Sequence, residues 1–292
     1  MQLATTTDAS GQTAALILDD SRGAVLASGL LGGSYPDALS VIQEHSPSSL
    51  REALAKAPDR VFSTPDPTSL VAPYRKPRMI WGIGLNYRDH AQDLFETAPS
   101  DEPASFIKAD HTIIGPGETI PLPEQSKRVT AEAELGLILG RECRNVEEED
   151  ALAYVWGVVP ILDQTAEDIL AKNPRFLTRS KNFPGFFSFG PAITPMDEVL
   201  TRFGTIGDVE VATMINGGLH RKNTVSNMTF SPAYLVSFHS KVMPLFAGDI
   251  ISTGTPGAVK LTDGDVAECR IDGIGTLTNP VSDPRLASAG AA

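Results

Sequence analysis

The chain changes its sequence pattern near residue 72, and this change limits the possible folds more than any other feature. From Ala72 onward, short runs rich in β-branched residues alternate with Gly/Pro turns, as in MIWGIGLN, LGLILG, VVPILD and GDIISTGTPG. Such runs between turn residues are typical of strands. Convincing helical patterns are few, near 89–95, 146–155 and 231–245. The pattern predicts a β-rich α+β domain over residues 72–292, without a βαβ rhythm.

Residues 1–71 are predicted to form a small separate α+β domain. Two short apolar runs flank the turn SRG at 21–23 and predict a hairpin. Helical spacing follows at 36–44, and Ser48 or Ser49 is expected to cap a second helix, SLREALAKA. A Pro-rich break then precedes the β-rich domain.

The charge balance excludes several partners. Lys and Arg number 24 against 36 Asp and Glu, so the net charge is −12. Nucleic acids and anionic lipids both need a basic surface, so neither is expected. Two cysteines, no signal-peptide pattern and no long apolar run favour a soluble cytoplasmic protein.

Three acidic residues on two predicted strands form a candidate metal site. In VTAEAELGLILG the alternation puts Glu132 and Glu134 on one strand face, about 6.5–7 Å apart. Asp163 ends the next apolar run, VVPILD. Converging carboxylates without nearby Cys or His favour Mg²⁺ or Mn²⁺ over Zn²⁺, and Ca²⁺ also fits. The alternative is that the two glutamates line a solvated strand face.

Three further segments carry candidate chemistry. His90 and Asp93 share a face if residues 89–95 are helical, which suits a general-base dyad, although a surface His–Asp pair has the same spacing. Lys181 precedes an aromatic stretch, and an apolar environment can lower the pKa of such a lysine. The turn at Gly254 and Thr255 can offer backbone N–H groups and a hydroxyl to an anion, or can simply be a tight turn.

In this order the segments resemble the fumarylacetoacetate hydrolase family. The matching segments are GLNYRDHA (84–91), the Phe-x-Lys of Phe106 and Lys108, AEAELGLILG (131–140), YVWGVVPILDQTAEDI (154–169), RSKNFPGFFSFGPAIT (179–194), ING (215–217) and LFAGDIISTGTPGAV (245–259). The resemblance covers about residues 74–281. It implies a mixed β-roll or β-sandwich catalytic domain around a buried pocket, in a homodimer.

The resemblance also implies roles for individual residues. Glu132, Glu134 and Asp163 would hold Mg²⁺ or Mn²⁺, His90 would be the general base with Asp93 beside it, and Lys181 would stabilise charge on the substrate oxygen. The remaining candidates would contact the substrate: Asn86, Tyr87, Arg88, Lys108, Glu167, Gly254 and Thr255. The segment at 89–101 is expected to act as a lid that orders on ligand binding.

The expected activity is metal-dependent hydrolysis of a C–C bond in a 1,3-dioxo, acylpyruvate-like acid, a small-molecule substrate. The same site could instead decarboxylate, isomerise or hydrate a 2-oxo acid. A catalytically silent binding protein is the remote alternative. It is motivated by a departure from the family pattern, since Glu167 stands where relatives carry Arg and Leu170 where some carry Gln. Arg175, Arg179 and Arg221 are the candidates to compensate for that lost charge.

Overall fold

The computed structural model describes residues 1–87 and 101–289. The helices in these ranges are short, and the strands dominate. The helices are α1 (Ala27–Leu31), α2 (Ala38–Glu44), α3 (Pro47–Lys56), α4 (Glu148–Ala151), α5 (Glu167–Leu170), α6 (Leu177–Lys181), α7 (Met196–Phe203), α8 (Pro232–Val242) and α9 (Pro284–Ala289).

The strands belong to two sheets. They are β1 (Gln2–Thr7), β2 (Thr13–Asp19), β3 (Gly23–Leu26), β4 (Leu70–Val71), β5 (Ile80–Gly84), β6 (Ala104–Lys108), β7 (Ile113–Ile114), β8 (Ile120–Pro121), β9 (Val129–Leu139), β10 (Val155–Ala166), β11 (Phe187–Phe189), β12 (Ala192–Pro195), β13 (Glu210–Ile215), β14 (Gly218–Thr224), β15 (Ile250–Ser252), β16 (Ala258–Lys260), β17 (Val266–Ile271) and β18 (Gly275–Ser282). The predicted β-rich α+β architecture is confirmed.

The larger sheet is built around its two longest strands, β9 and β10. Its main path runs β3-β2-β1-β12-β10-β9-β15-β5-β6, and the second sheet runs β14-β13-β17-β18-β8. β9 and β10 pair antiparallel along almost their whole length. Because the pairing is antiparallel, Glu132 lies directly opposite Asp163.

The two faces of β9 have different environments. Leu135, Leu137 and their alternate neighbours share one apolar core with Ala267 and Cys269 of the second sheet. On the opposite face, Ile138 belongs to a second core. Glu132 and Glu134 lie on that same opposite face, nearer the beginning of the strand, so alternation puts the carboxylates on the side away from the second sheet.

Residues 1–71 join the larger sheet edge to edge. β1 pairs with β2, with β4 and, through Leu3 and Ala4, with β12. The predicted hairpin at 21–23 is confirmed by the pairing of β2 with β3. The division of the chain at residue 71/72 stays a prediction.

Two local predictions are wrong by a few residues. α3 begins at Pro47 and is capped by Ser46, whose hydroxyl accepts from Ser49 N, because Pro fits the first helical turn. The helix expected over 146–155 ends early, and Val155 already pairs with Leu139 as the start of β10.

The cysteines and the helix lengths can be described within these ranges. Both Cys143 and Cys269 are free and buried. The helices seen in residues 1–87 and 101–289 are all too short or too polar to cross a bilayer. The segment 88–100, which carries His90, Asp93, Arg88 and most of the predicted lid, lies outside the described residues, so those assignments stay predictions.

Candidate metal centre and its surroundings

The three predicted metal ligands converge. One carboxylate oxygen from each of Glu132, Glu134 and Asp163 lies within 4.8 Å of the others. Glu134 and Asp163 are buried, each with 1% of its surface exposed. The β9–β10 register produces this cluster, since two ligands share a strand face and the third lies opposite on the next strand.

Two buried lysines compensate much of the negative charge. Lys181, at the end of α6, donates to Asp163 Oδ2 at 2.7 Å and to Glu132 Oε2 at 2.9 Å. Lys108, at the end of β6, donates to the other oxygen of Asp163 and to the carbonyl of Gln164. Both predicted lysines therefore lie within the carboxylate cluster.

The two lysines differ in electrostatic environment although both touch Asp163. Burial lowers the pKa of Lys108 to about 8, because Asp163 offsets only part of the desolvation and Lys181 repels it. Burial also opposes the charge of Lys181, but attraction by Asp163, Glu132 and Glu134 is stronger and raises its pKa above the ordinary value. Lys181 is thus firmly cationic.

Glu134 is held by hydrogen bonds from the neighbouring strand and turn. Ser252 Oγ donates to its Oε2 at 2.6 Å, and Gly254 N donates to the same oxygen at 2.8 Å. Burial, followed by repulsion from Asp163, raises the pKa of Glu134 to about 8. With all three carboxylates ionised the cluster would carry one negative charge more than its two lysines offset, and a divalent cation bound by these oxygen donors would favour that ionised form.

Gly254 is required at this turn for conformational reasons. Its φ is +99°, and a Cβ there would lie 2.7 Å from the Cβ of Asn86. Asn86 itself is buried, and its amide bonds Thr253 O, Phe230 O and Phe230 N. These contacts stabilise the turn, and contact of either residue with substrate stays a prediction.

Thr255 and Tyr87 are two further predicted substrate-binding residues that the structure describes. Thr255 Oγ1 is buried and bonds within its own turn, to Gly257. Tyr87 is fully buried, and its hydroxyl has no hydrogen-bond partner among the described residues. Burial raises the pKa of that hydroxyl, with the Glu134 carboxylate adding to the shift. Their roles toward substrate stay predictions.

Glu167 is paired with an arginine that the sequence reading did not name. Arg128 Nε lies 2.6 Å from Glu167 Oε2. Of the arginines suggested as compensating groups, Arg179 instead bonds the side chain of Gln125, and the Arg221 side chain packs over Gly257. The signal that could have identified Arg128 is its spacing of four residues before Glu132, which puts it on the same strand face.

Two hydroxyl groups near the ligands were also missed. Thr165 donates to Glu132 Oε1, and Ser252 donates to Glu134. Thr165 lies two residues after Asp163 on β10, so strand alternation alone puts it on the ligand face. Ser252 could not be identified this way, because it comes from a strand that is distant in sequence.

Known proteins are similar to this chain in sequence and in fold. The mitochondrial oxaloacetate tautomerase fahd2 of Xenopus laevis is 35% identical over 222 residues, 73% of this chain and 68% of that protein. A 4-hydroxyphenylacetate degradation bifunctional isomerase/decarboxylase of Escherichia coli is 34% identical over 206 residues, 69% of this chain and 46% of that protein. The maleylpyruvate hydrolase of Sphingobium sp. SYK-6, solved with manganese(II) and pyruvate, aligns with a TM-score of 0.80 at 26% identity, covering 97% of this chain and 99% of that chain.

A family model for the fumarylacetoacetate hydrolase C-terminal domain matches residues 79–282, well over half of the chain. The match includes both long strands, all three carboxylates and both buried lysines. It ends, like the second sheet, at Ser282. The chain therefore belongs to the fumarylacetoacetate hydrolase family.

Proposed function

We propose that this protein is a divalent-metal-dependent enzyme that binds a small 2-oxo or 1,3-dioxo acid and forms its enolate. The observation that carries the proposal is the convergence of Glu132, Glu134 and Asp163 around one point, with the ammonium group of Lys181 beside two of them. Three oxygen donors of this kind suit Mg²⁺ or Mn²⁺.

A divalent cation held by the three carboxylates would act as a Lewis acid that polarises a substrate carbonyl. Lys181 adds a fixed positive charge that can donate a hydrogen bond to an oxygen as it becomes negative. Burial of the lysine excludes water and strengthens this interaction. In the proposal His90 moves the proton, and Asp93 fixes the tautomer of its ring.

Two reactions of such an enolate are candidates. C–C hydrolysis of an acylpyruvate-like acid is expected from the sequence motifs, and the likeness to the maleylpyruvate hydrolase supports it. Tautomerisation, isomerisation or decarboxylation of a 2-oxo acid is the second candidate. It is favoured by two relatives, a tautomerase and an isomerase/decarboxylase, which are 34–35% identical to this chain.

The test follows proton exchange and products by NMR. Metal-stripped protein, with and without added Mg²⁺, is incubated in D₂O with pyruvate, oxaloacetate and acylpyruvates. We expect metal-dependent exchange of the C3 hydrogens for deuterium. The products distinguish the reactions: two acids indicate C–C hydrolysis, loss of CO₂ indicates decarboxylation, and an isomer indicates isomerisation. Glu134→Gln should abolish exchange, whereas Glu142→Gln, an exposed acid beyond the other end of β9, should not.

Absence of metal-dependent exchange and of turnover with every acid would contradict the proposal. Full activity of Glu134→Gln would contradict it equally. The proposal also includes the cytoplasmic location and the homodimer implied by the family resemblance. Light scattering tests the dimer, which should have twice the 31.1 kDa mass of the chain.

A further inference from the structure

An aromatic ring lies against the ammonium group of Lys181. Lys181 Nζ is 4.8 Å from the centroid of the Phe106 ring, inside the range of about 6 Å within which an aromatic face attracts a cation. Both side chains are buried. Water therefore screens the attraction weakly, and a cation–π contact is strongest in such surroundings.

The ring differs from the other contacts of Lys181 because it is not a hydrogen-bond acceptor of the ordinary kind. An ammonium group carries three N–H donors, and here two of them engage Asp163 and Glu132. An aromatic face attracts the charge through its quadrupole and needs no N–H of its own. The ring can thus hold the ammonium group in place and leave the third N–H to an oxygen of the substrate.

Strand periodicity brings the ring to this position. Phe106 and Lys108 are two residues apart on β6 and share its buried face, whereas Ile107 between them is exposed. From that face Phe106 contacts Lys181, and Lys108 donates to Asp163. One short strand therefore contacts both the lysine and the aspartate of the cluster.

A glycine on the neighbouring strand makes room for the ring. Gly82 of β5 is the direct partner of Phe106 in the β5–β6 ladder. A Cβ at Gly82 would overlap the far edge of the ring, at Cε2 and Cζ. The ring therefore lies across the backbone of Gly82, as aromatic residues do when they cover a glycine on the next strand. A side chain at position 82 would displace the ring.

We propose that Phe106 is a positioning residue for Lys181: its ring, packed on Gly82, holds the ammonium group where it stabilises negative charge on the substrate oxygen. This inference rests on the proposed function, because it takes Lys181 to act on the enolate. Phe106 acts through the lysine and not through contact with substrate. Loss of the ring should therefore lower kcat and leave KM nearly unchanged.

Fluorinated phenylalanines at position 106 test the role of the ring face. Each added fluorine weakens the attraction for a cation, while the ring keeps nearly the same size. With Mg²⁺ in D₂O, we expect kcat for C3 exchange of pyruvate and oxaloacetate to fall along the series, to about a tenth of wild type with pentafluorophenylalanine. Phe106→Leu should lower kcat by a similar factor.

A second measurement does not depend on activity. The ring current of an aromatic face shifts nearby hydrogens upfield, so metal-free wild type with ¹³C-labelled lysine should show an upfield Cε signal that Lys181→Arg removes. Gly82→Ala should abolish this shift and lower kcat as much as Phe106→Leu. Gly84→Ala is the matched control on the same strand and should do neither, because a Cβ there meets only Ala104 O, at 3.7 Å.

The inference is overturned if kcat is the same along the fluorinated series, or if Gly84→Ala reduces the upfield shift as much as Gly82→Ala. It is also wrong if Phe106→Leu loses stability but keeps kcat, since the ring would then be an ordinary core residue. Absence of exchange in wild type would instead count against the proposed function, and the Cε shift would still decide whether the ring holds Lys181.

Discussion

Replacing Lys181 by methionine tests the charge balance of the metal centre. The cluster contains three carboxylates and two ammonium groups, so its formal charge without metal is −3 + 2 = −1. Lys181→Met keeps most of the side-chain volume and takes this charge to −2. Asp163 and Glu132 then each lose a charged partner at 2.7 and 2.9 Å.

The expected cost is large because the pair is buried. Lys181 and Asp163 are 4% and 1% exposed. Removal of one partner from a buried pair costs about 3–5 kcal/mol, since the remaining charge has neither water nor a counterion. A bound divalent cation supplies positive charge at the same place, so we expect saturating Mg²⁺ to recover most of the loss. The stabilisation by metal should consequently be larger in the variant than in wild type.

Urea unfolding, with and without Mg²⁺, measures the loss of stability in Lys181→Met and the stabilisation by the metal. Lys241→Met is the control, because Lys241 lies 3.0 Å from Glu147 in a pair whose side chains are 45% and 68% exposed. An exposed pair of this kind contributes about 0–1 kcal/mol, and metal should not alter the effect of its loss. The reasoning is refuted if Lys181→Met costs less than the control, or if Mg²⁺ stabilises the variant no more than wild type.

One further prediction concerns the pH dependence of stability, and another concerns the turn whose backbone N–H bonds Glu134. Burial lowers the pKa of His239 below its ordinary value of 6.5, so the folded protein keeps the ring neutral. The free energy of unfolding should therefore fall as pH drops below about 6.5, where the unfolded chain takes up a proton. Unfolding curves between pH 5 and 8 should show this dependence, and His239→Gln should reduce it. Gly254→Ala should weaken Mg²⁺ binding by about 10–100-fold, because a Cβ 2.7 Å from that of Asn86 displaces the N–H that fixes Glu134. Calorimetry measures this, and Gly264→Ala, with a φ of +80° and open space around it, should strain its own turn and leave metal affinity unchanged.

The ligand set could be predicted from the sequence because it depends on strand periodicity. Alternation puts Glu132 and Glu134 on one face. Asp163, the last residue of the next apolar run in the sequence, lies opposite Glu132 because β9 and β10 pair antiparallel. Lys181 was identified as a lone charge before an aromatic stretch, and Phe186 and Phe187 are buried as expected for core residues. Local pattern was enough for these positions.

The partners that depend on contacts between distant segments could not be predicted. Ser252 reaches Glu134 because β15 pairs with β9, and no local pattern encodes that pairing. Arg128 was missed for a different reason. The departure at Glu167 was read as an unbalanced carboxylate, although the compensating cation lies directly across the ladder. Strand spacing alone puts Arg128 on the face of Glu132, but the register of β9 against β10 is needed to put it opposite Glu167.

A crystal structure with Mn²⁺ and oxalate tests the central claim most directly. Anomalous diffraction at the manganese edge should give a strong peak contacted by one oxygen each of Glu132, Glu134 and Asp163, with both carboxylates of oxalate on the open side of the metal. Lys181 should remain within hydrogen-bond distance of the Asp163 and Glu132 carboxylates. A manganese peak elsewhere with none among these carboxylates, or oxalate bound away from them, would contradict the account.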